Sequence, residues 1–420
     1  MYSVRAITFL MLVTCVGVAS HARAQQEPDG VRLMQDAAVR AAVDAARADE
    51  PHTIDEQIRL CEIPAPPFKE ATRANAYAEA FRALGLTNVR IDSAGNVLGE
   101  RRGRAARPHL VFSAHLDTVF PEGTDVKVTR DKSVLKGPGI GDDCRGLAVL
   151  LAVVRAMNTA NVTTPGTITF VGTVGEEGLG DLRGVKALFN ETLKGQIDRF
   201  VSVDGTGLGI SHIAVGSHRY RVTFKGPGGH SYGAFGVANP VHALGRAIAG
   251  MADLQVPTDP KTTFNVGRVG GGTSVNAIAF EAWMEVDMRS VDPAALQSVD
   301  ASFHRAVDEA VAAENARWNN NGRISVEKQL VGDRPAGRTE ANAPIVQTAL
   351  SVSKALGLTS RLDEGSTDSN IAMSLGIPAI TVDGGGRGTG AHALEETFDI
   401  TDSWQGTQRA VLLAIALAQP

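Results

Sequence analysis

Eight side chains able to bind a metal ion or move a proton stand in five separate loops: His115, Asp117, Asp142, Asp143, Glu176, Glu177, Asp204 and His392. His115 and Asp117 lie in His-Leu-Asp-Thr-Val, directly after the apolar Leu-Val-Phe-Ser-Ala. Asp142 and Asp143 end Gly-Pro-Gly-Ile-Gly-Asp-Asp, Glu176 and Glu177 follow Ile-Thr-Phe-Val-Gly-Thr-Val-Gly, and Asp204 follows Phe-Val-Ser-Val. His392 closes the glycine-dense segment that starts at Gly384. Taken singly, a histidine at a strand end is ordinarily a hydrogen-bonded structural residue, and an acidic pair a solvated loop. The apolar runs change that reading, because a charge at the end of a buried segment needs a partner or a cation. Adjacent carboxylates in a closed site repel one another unless a cation neutralises them. Imidazole nitrogens with carboxylate oxygens suit Zn2+, and Co2+ or Mn2+ fit the same donors. A further carboxylate beside such ions can serve as a general base.

Loops so far apart in sequence must be gathered by a sheet. Strands are predicted at Val89–Asp92, Asn96–Glu100, His109–Ala114, Gly166–Val174 and Phe200–Val203. Helices are predicted at Glu70–Leu84 and Leu147–Met157, after an Ala-rich helical run from Val31 to Arg59 that Pro64, Pro66 and Pro67 end. This alternation predicts an α/β sheet covered on both faces, with its site at the carboxyl ends of the strands. From Ile213 to Leu330 the rhythm differs. Strands at Tyr220–Lys225, Thr263–Val269, Ala277–Met288 and Arg323–Leu330, with helices at Pro240–Leu254 and Pro293–Ala316, give the β-α-β-β-α-β order of a ferredoxin-like unit. Ala341–Leu356, Ser369–Leu375, Ala379–Val382 and Trp404–Ala418 then resume the α/β alternation. The expected organisation is a catalytic domain over residues 25–212 and 331–420, with a second domain, residues 213–330, inserted into it.

Composition narrows the function classes. With 420 residues, 43% of them hydrophobic, the chain is too apolar for disorder and long enough for two or three domains. A net charge of −5 gives no basic face for nucleic acid. The 45 glycines have no collagen-like period and gather near the candidate residues, where backbone must approach a ligand closely. At the start of the chain, Arg5 precedes an apolar run from Ala6 to Ala19, and Ala22-Arg23-Ala24 supplies a small-residue cleavage site. Residues 1–24 therefore read as a secretory leader, too short to span a membrane. The expectation is a secreted or periplasmic protein with no membrane association after cleavage. Cys15 would leave with the leader, and Cys61 and Cys144 would remain where a disulfide is permitted.

Together, His-Leu-Asp-Thr-Val, Gly-Pro-Gly-Ile-Gly-Asp-Asp and Gly-Glu-Glu-Gly resemble a known family over nearly all of the chain after the leader. It is the co-catalytic zinc metallopeptidases and deacylases that include glutamate carboxypeptidase, peptidase T and succinyl-diaminopimelate desuccinylase. The resemblance implies a mixed-sheet zinc-exopeptidase catalytic domain carrying a ferredoxin-like α+β lid and dimerisation domain. It implies two Zn2+ ions bridged by Asp142, with His115 and Asp204 on one and Glu177 and His392 on the other. It also implies Glu176 as general base and Asp117 as the group that orients His115 by accepting its other N–H. Asp143 stays open as the bridge in place of Asp142. Two Zn2+ would be balanced by three carboxylates and one hydroxide, and a zinc-bound water ionises near pH ~7.

In the inserted domain, His230, in Gly-Pro-Gly-Gly-His-Ser, resembles a lid histidine that reaches the partner's active site in dimeric members, which implies a homodimer; otherwise it is a turn histidine. Asn276 and Arg289 match family positions that contact substrate, and Arg289 could hold a carboxylate by a two-pronged hydrogen bond. Asp368, in Ser-Thr-Asp, either shapes the pocket or lies in a solvated turn. Cys144 and Arg145 depart from the Lys-Gly usual in the family. The thiol is a stray ligand, a disulfide partner for Cys61, or filling. At the position of Asp204 the family's peptidases tend to carry Asp and its deacylases Glu. The implied activity is therefore exopeptidase cleavage of small peptides by a metal-bound hydroxide, with N-acyl-amino-acid deacylation as the alternative.

Overall fold

The computed structural model describes residues 30–420, so the expected leader lies outside the described residues. Helices α1 (Ala37–Ala48), α2 (Glu50–Cys61) and α3 (Ala71–Ala83) come first. The Ala-rich run is broken rather than continuous, because the Asp36 side chain caps α1 and Pro51 restarts the chain in the first turn of α2. Strands β1 (Thr87–Ile91), β2 (Val97–Arg101) and β3 (His109–His115) lead to helix α4 (Cys144–Thr159), followed by β4 (Thr167–Thr173), β5 (Arg199–Val203) and β6 (Ile210–Ala214). The inserted unit holds β7 (Gly216–Lys225), α5 (Pro240–Ala252), β8 (Thr262–Gly271), β9 (Glu281–Ser290), α6 (Pro293–Arg317) and β10 (Ser325–Arg334). The chain then returns through β11 (Gly337–Arg338), α7 (Pro344–Ala355), β12 (Leu362–Gly365), β13 (Ala379–Val382) and α8 (Trp404–Leu417).

The main sheet runs β1-β2-β4-β3-β5-β13-β6-β11, with β12 beside β6. It is mixed: β4, β3, β5 and β13 are mutually parallel, and the pairs at either side are antiparallel except β12 with β6, which is parallel. The four parallel strands are buried along almost their whole length because both faces are covered. Leu110 and Phe112 of β3 face the cluster that contains Leu147, Leu150 and Val154 of α4 and Leu413 of α8, whereas Val111 faces the opposite cluster with Leu188, Phe200 and Ile371. Since these strands are neighbours and point the same way, their carboxyl ends set His115, Glu176, Glu177 and Asp204 along one edge.

The inserted sheet is antiparallel in the order β8-β9-β7-β10, the ferredoxin-like arrangement, and has its own core of Val222, Phe224, Met284, Met288, Phe303 and Val307. It extends from Gly216 to Arg334, so it starts three residues later and ends four residues later than the expected 213–330. Ile213 and Ala214 pair with Arg338 and Gly337 in the main sheet. The single strand expected at Ala277–Met288 is two. Ala277–Ile278 pairs with Gly229–His230 in a separate ribbon, and only from Glu281 does the chain join the inserted sheet. Among the described residues, no helix is long and apolar enough to cross a membrane.

Candidate active site

His115, the last residue of β3, is buried and fixed at both ring nitrogens. Nδ1 lies 3.0 Å from the backbone carbonyl of Asp117, and Nε2 lies 3.0 Å from Asp142 Oδ1. A carbonyl can only accept, so Nδ1 carries the proton and a neutral ring presents Nε2 as its lone-pair donor. Asp142 lies between two histidines, with its other oxygen 3.2 Å from His392 Nε2. His392 Nε2 is also 3.2 Å from Glu177 Oε1, and Asp204 Oδ1 is 4.0 Å from His115 Nε2. Ligand atoms of His115, Asp142 and Glu177 lie within 4.8 Å of one another, the spacing of a metal-binding cluster. His392 reaches this cluster from a loop, with its backbone at φ 68°.

Asp142 and Asp143 have different tasks. Asp143 Oδ2 accepts the His115 N–H and Oδ1 accepts the Gly146 N–H, which caps α4 and holds the end of β3. Gly146 is required here, since a Cβ would stand 2.3 Å from both Asp143 Oδ1 and the Val203 carbonyl. Asp143 is therefore occupied by backbone, and Asp142 is the carboxylate free to bridge. Asp117 also departs from expectation. Its carboxylate lies 3.8 Å from His115 Nδ1, and it accepts instead the N–H groups of Glu176 at 3.0 Å and Glu177 at 2.8 Å. The backbone carbonyl orients the imidazole, while the side chain of the same residue places the acidic pair.

Glu176 is buried, and burial raises its pKa despite the opposing Arg334 guanidinium. Arg334, the last residue of β10, donates from Nη1 to Glu176 Oε1 at 3.1 Å and to Ser366 Oγ at 3.2 Å, and from Nη2 to the Glu176 carbonyl. A cation from the inserted domain thus holds the candidate base at two points. Asp368 is buried beside it, hydrogen-bonded to Thr173 Oγ1, with its pKa pushed up to about 7 by burial and by the charge of Glu176. It is not a solvated turn.

Glu396 was not singled out by sequence. Its carboxylate accepts the N–H groups of Gly139, Gly141 and Asp142 at 2.8, 2.8 and 3.1 Å, and so fastens the loop that presents Asp142. Its position four residues after His392, next to the exposed Glu395, gives no sequence signal of burial.

The charge pattern is that of a site built for cations. Hydrogen bonds donated by His392 to Asp142 and then to Glu177 lift its pKa to about 10. Burial alone would lower the His115 pKa, but the Asp142 hydrogen bond and the charges of Asp143 and Asp204 leave it well above its ordinary value. Asp142 shows the reverse: burial is outweighed by its two histidine partners, which hold it well below the carboxylate range. Asp204 is pushed well up, chiefly by burial.

The residues expected on the lid lie apart from this cluster. His230 and Asn276 are exposed and share the small ribbon, where the Ser231 N–H donates to the Asn276 carbonyl at 2.9 Å. His230 Nδ1 accepts from the N–H groups of Tyr232 and Gly233. Arg289 pairs with Asp287 at 2.7 Å and lines a cleft of about 340 Å³ with Lys261, Glu364 and Ser366, between the inserted sheet and the main domain. No hydrogen bond or ion pair among the described residues joins these three to the metal-binding cluster. Cys144 points away from the cluster into an apolar group with Cys61, Ile54, Leu135, Ile140 and Phe398, which excludes a role as stray ligand; both thiols are free.

Comparison with known proteins agrees with this architecture. Carboxypeptidase G2 of Pseudomonas sp. (strain RS-16) is 28% identical over 333 residues, covering 74% of this chain and 75% of that protein. A succinyl-diaminopimelate desuccinylase of Nitrosospira multiformis is 29% identical over 245 residues, covering 54% of this chain and 64% of its own. The crystal structure of a Staphylococcus aureus tripeptidase matches with a TM-score of 0.71 at 23% identity, over 88% of this chain and 98% of that one. The model of peptidase family M20/M25/M40 matches residues 111–416, a span that takes in the carboxylate and histidine loops and the inserted domain alike, so the chain is a hydrolase belonging to that family.

Proposed function

We propose that the chain is an exported dinuclear zinc exopeptidase that hydrolyses an amide bond in small peptides. The observation that carries this reading is Asp142 held between His115 and His392, with Glu177 on the same cluster and Glu176 next in sequence. Export rests on the sequence of residues 1–24 alone. His115 and Asp204 would hold one ion and Glu177 and His392 the other, with Asp142 shared; the N/O donor set fits zinc, cobalt or manganese. Such ions, when bound, acidify a water and polarise the scissile carbonyl. The chain supplies the rest. The Glu176 carboxylate takes the proton of the attacking water and passes it to the leaving amine nitrogen. Arg334 and the Asp117 carboxylate fix where that carboxylate stands. Arg289, in its cleft, would bind the substrate carboxylate, with Asn276 and His230 contacting substrate from the lid, His230 across a homodimer.

Asp204 favours a peptidase, and so does the likeness to a carboxypeptidase and a tripeptidase. The likeness to a desuccinylase supports the second reading, an N-acyl-amino-acid deacylase. A panel of dipeptides, tripeptides and N-acyl amino acids on zinc-loaded enzyme separates the two. Peptide turnover well above acyl turnover is expected, and the reverse order would replace the first reading by the second. Glu176→Gln should keep its metal, measured by elemental analysis, while turnover drops ~10²–10⁴-fold. Full turnover in the metal-loaded variant would remove Glu176 from its role.

A further inference from the structure

Helix α2 reaches the loop that carries Asp142 through one of its faces. Gln57 Nε2 donates to the Ile140 carbonyl at 2.7 Å, and one turn later Cys61 Sγ donates to the Pro138 carbonyl at 3.4 Å. Cys144, in the same apolar group as Cys61, is the first residue of α4 and the neighbour of Asp143. The two thiols belong to the same small buried group of side chains. Both are fully buried in the apolar group formed by Ile54, Leu135, Ile140 and Phe398. Two cysteines distant in sequence thus share one apolar group that excludes water, and among the described residues there is no other thiol to compete for either.

We propose that Cys61 and Cys144 are a disulfide-forming pair, a modification site that staples α2 to the first turn of α4 and so locks the Asp142 loop between them. The reaction is thiol–disulfide exchange with a low-molecular-weight or protein disulfide, RSSR. One cysteine thiolate attacks RSSR and releases RS⁻, giving a mixed disulfide. The second thiolate attacks the protein sulfur and releases another RS⁻. The products are Cys61–S–S–Cys144 and two RSH, the two protons and two electrons having passed from the cysteines to the oxidant. Because both thiols are covered in the native fold, the oxidant meets them while the chain folds or when α2 lifts from the loop. Once formed, the bond is shielded from reductant by the same apolar group.

The test uses the full chain, incubated with oxidised glutathione in buffer and in urea below the unfolding transition. Remaining thiols are then trapped in denaturant and the peptides mapped without reduction. The expected result is one cross-linked peptide pair joining Cys61 to Cys144, a protein lighter by two hydrogens, and a Tm that rises and falls back on adding dithiothreitol. Release of metal to a chelator should also be several-fold slower in the oxidised form. Cys61→Ser and Cys144→Ser should each abolish the link. A Cys61→Ala/Cys144→Ala double variant, which keeps the site apolar, is the reference should the serine forms fail to fold. Full alkylation of both thiols after oxidation, glutathione adducts in place of the link, or pairing of either residue with Cys15 would overturn the assignment. A Cys61–Cys144 link that leaves Tm unchanged would overturn the stapling role.

Discussion

Arg334 ties the last strand of the inserted domain to the candidate base, and replacing it with methionine asks how far Glu176 depends on that tie. Arg334 is 3% exposed and Glu176 5%, with Nη1 and Oε1 3.1 Å apart, so water screens the pair poorly. Two unit charges ~4 Å apart in a surrounding of effective dielectric ~20 attract by about 4 kcal/mol. Removing one member of such a pair strands the other and costs about 3–5 kcal/mol of stability, which thermal unfolding would register. Catalytically, the ceiling is the whole contribution of the base, ~10²–10⁴-fold; losing both guanidinium contacts while Asp117 still holds the Glu176 N–H should forfeit about tenfold or more in kcat. The sign with pH follows from the role. Glu176 accepts a proton only as a carboxylate, so activity is lost as pH falls through its pKa. Burial pushes that pKa up and Arg334 opposes the push, so in Arg334→Met the acidic limb of kcat/KM should move to higher pH. The decisive assay is a double-mutant cycle. In a Glu176→Gln background, Arg334→Met should cost little further kcat, because the group it positions is already disabled. The same loss in both backgrounds, or a rise in KM with kcat intact, would refute the positioning argument and make Arg334 a substrate contact.

Further outcomes follow from the same site. Glu396→Gln replaces one accepting oxygen with an NH2 group that faces either the Gly139 N–H or the Gly141 and Asp142 N–H groups, and should weaken metal binding ~10–100-fold by calorimetric titration; unchanged affinity would show that the loop holds itself. With its pKa near 10 in the metal-free protein, His392 is protonated at pH 7–8 and must lose that proton to become a ligand. Metal binding at pH 7–8 should therefore release protons, seen as a dependence of binding enthalpy on the ionisation heat of the buffer, and affinity should fall as pH falls. Buffer-independent enthalpy would exclude His392 from the ligand set.

What could be read from sequence tracks how local its cause is. β3, β4, β5 and β13 are legible because strands covered on both faces must be continuous apolar runs. β6 and β12 are not, since Ile-Ser-His-Ile-Ala and Leu-Asp-Glu-Gly are half-buried segments made into strands by a parallel pairing across a long sequence separation. The histidine and carboxylate loops stand out by residue type and by the apolar runs before them. Their supports do not. Arg334 falls past the end expected for its strand, because β10 shifts register opposite β7 near Leu330 and runs on to Arg334. Asp117 stands two residues from His115, a spacing that suggests a carboxylate–imidazole bond. The chain instead turns so that its carbonyl meets the ring and its side chain meets the backbone of the next loop.

The carboxylates of the site divide by what their oxygens already hold, and the division is a stronger guide to role than burial is. Asp117, Asp143 and Glu396 each spend both oxygens on backbone N–H groups, so they are parts of the frame. Glu176 spends one oxygen on a guanidinium and keeps one free, as a group that must accept and return a proton requires. Among the described residues, the carboxylates of Asp142 and Glu177 have only histidine partners, and Asp204 has none nearer than the 4.0 Å approach of His115. Among the described residues those three accept from no amide, hydroxyl or guanidinium, and they are three of the five residues proposed to hold metal. The pKa directions do not separate the two sets: burial pushes up Asp204, Asp117, Asp143 and Glu396 alike, while Asp142 is held down by its two histidines. Had Asp143 been the bridge, the Gly146 and His115 amides would have lost their acceptor, and with it the start of α4 and the end of β3 would have come apart.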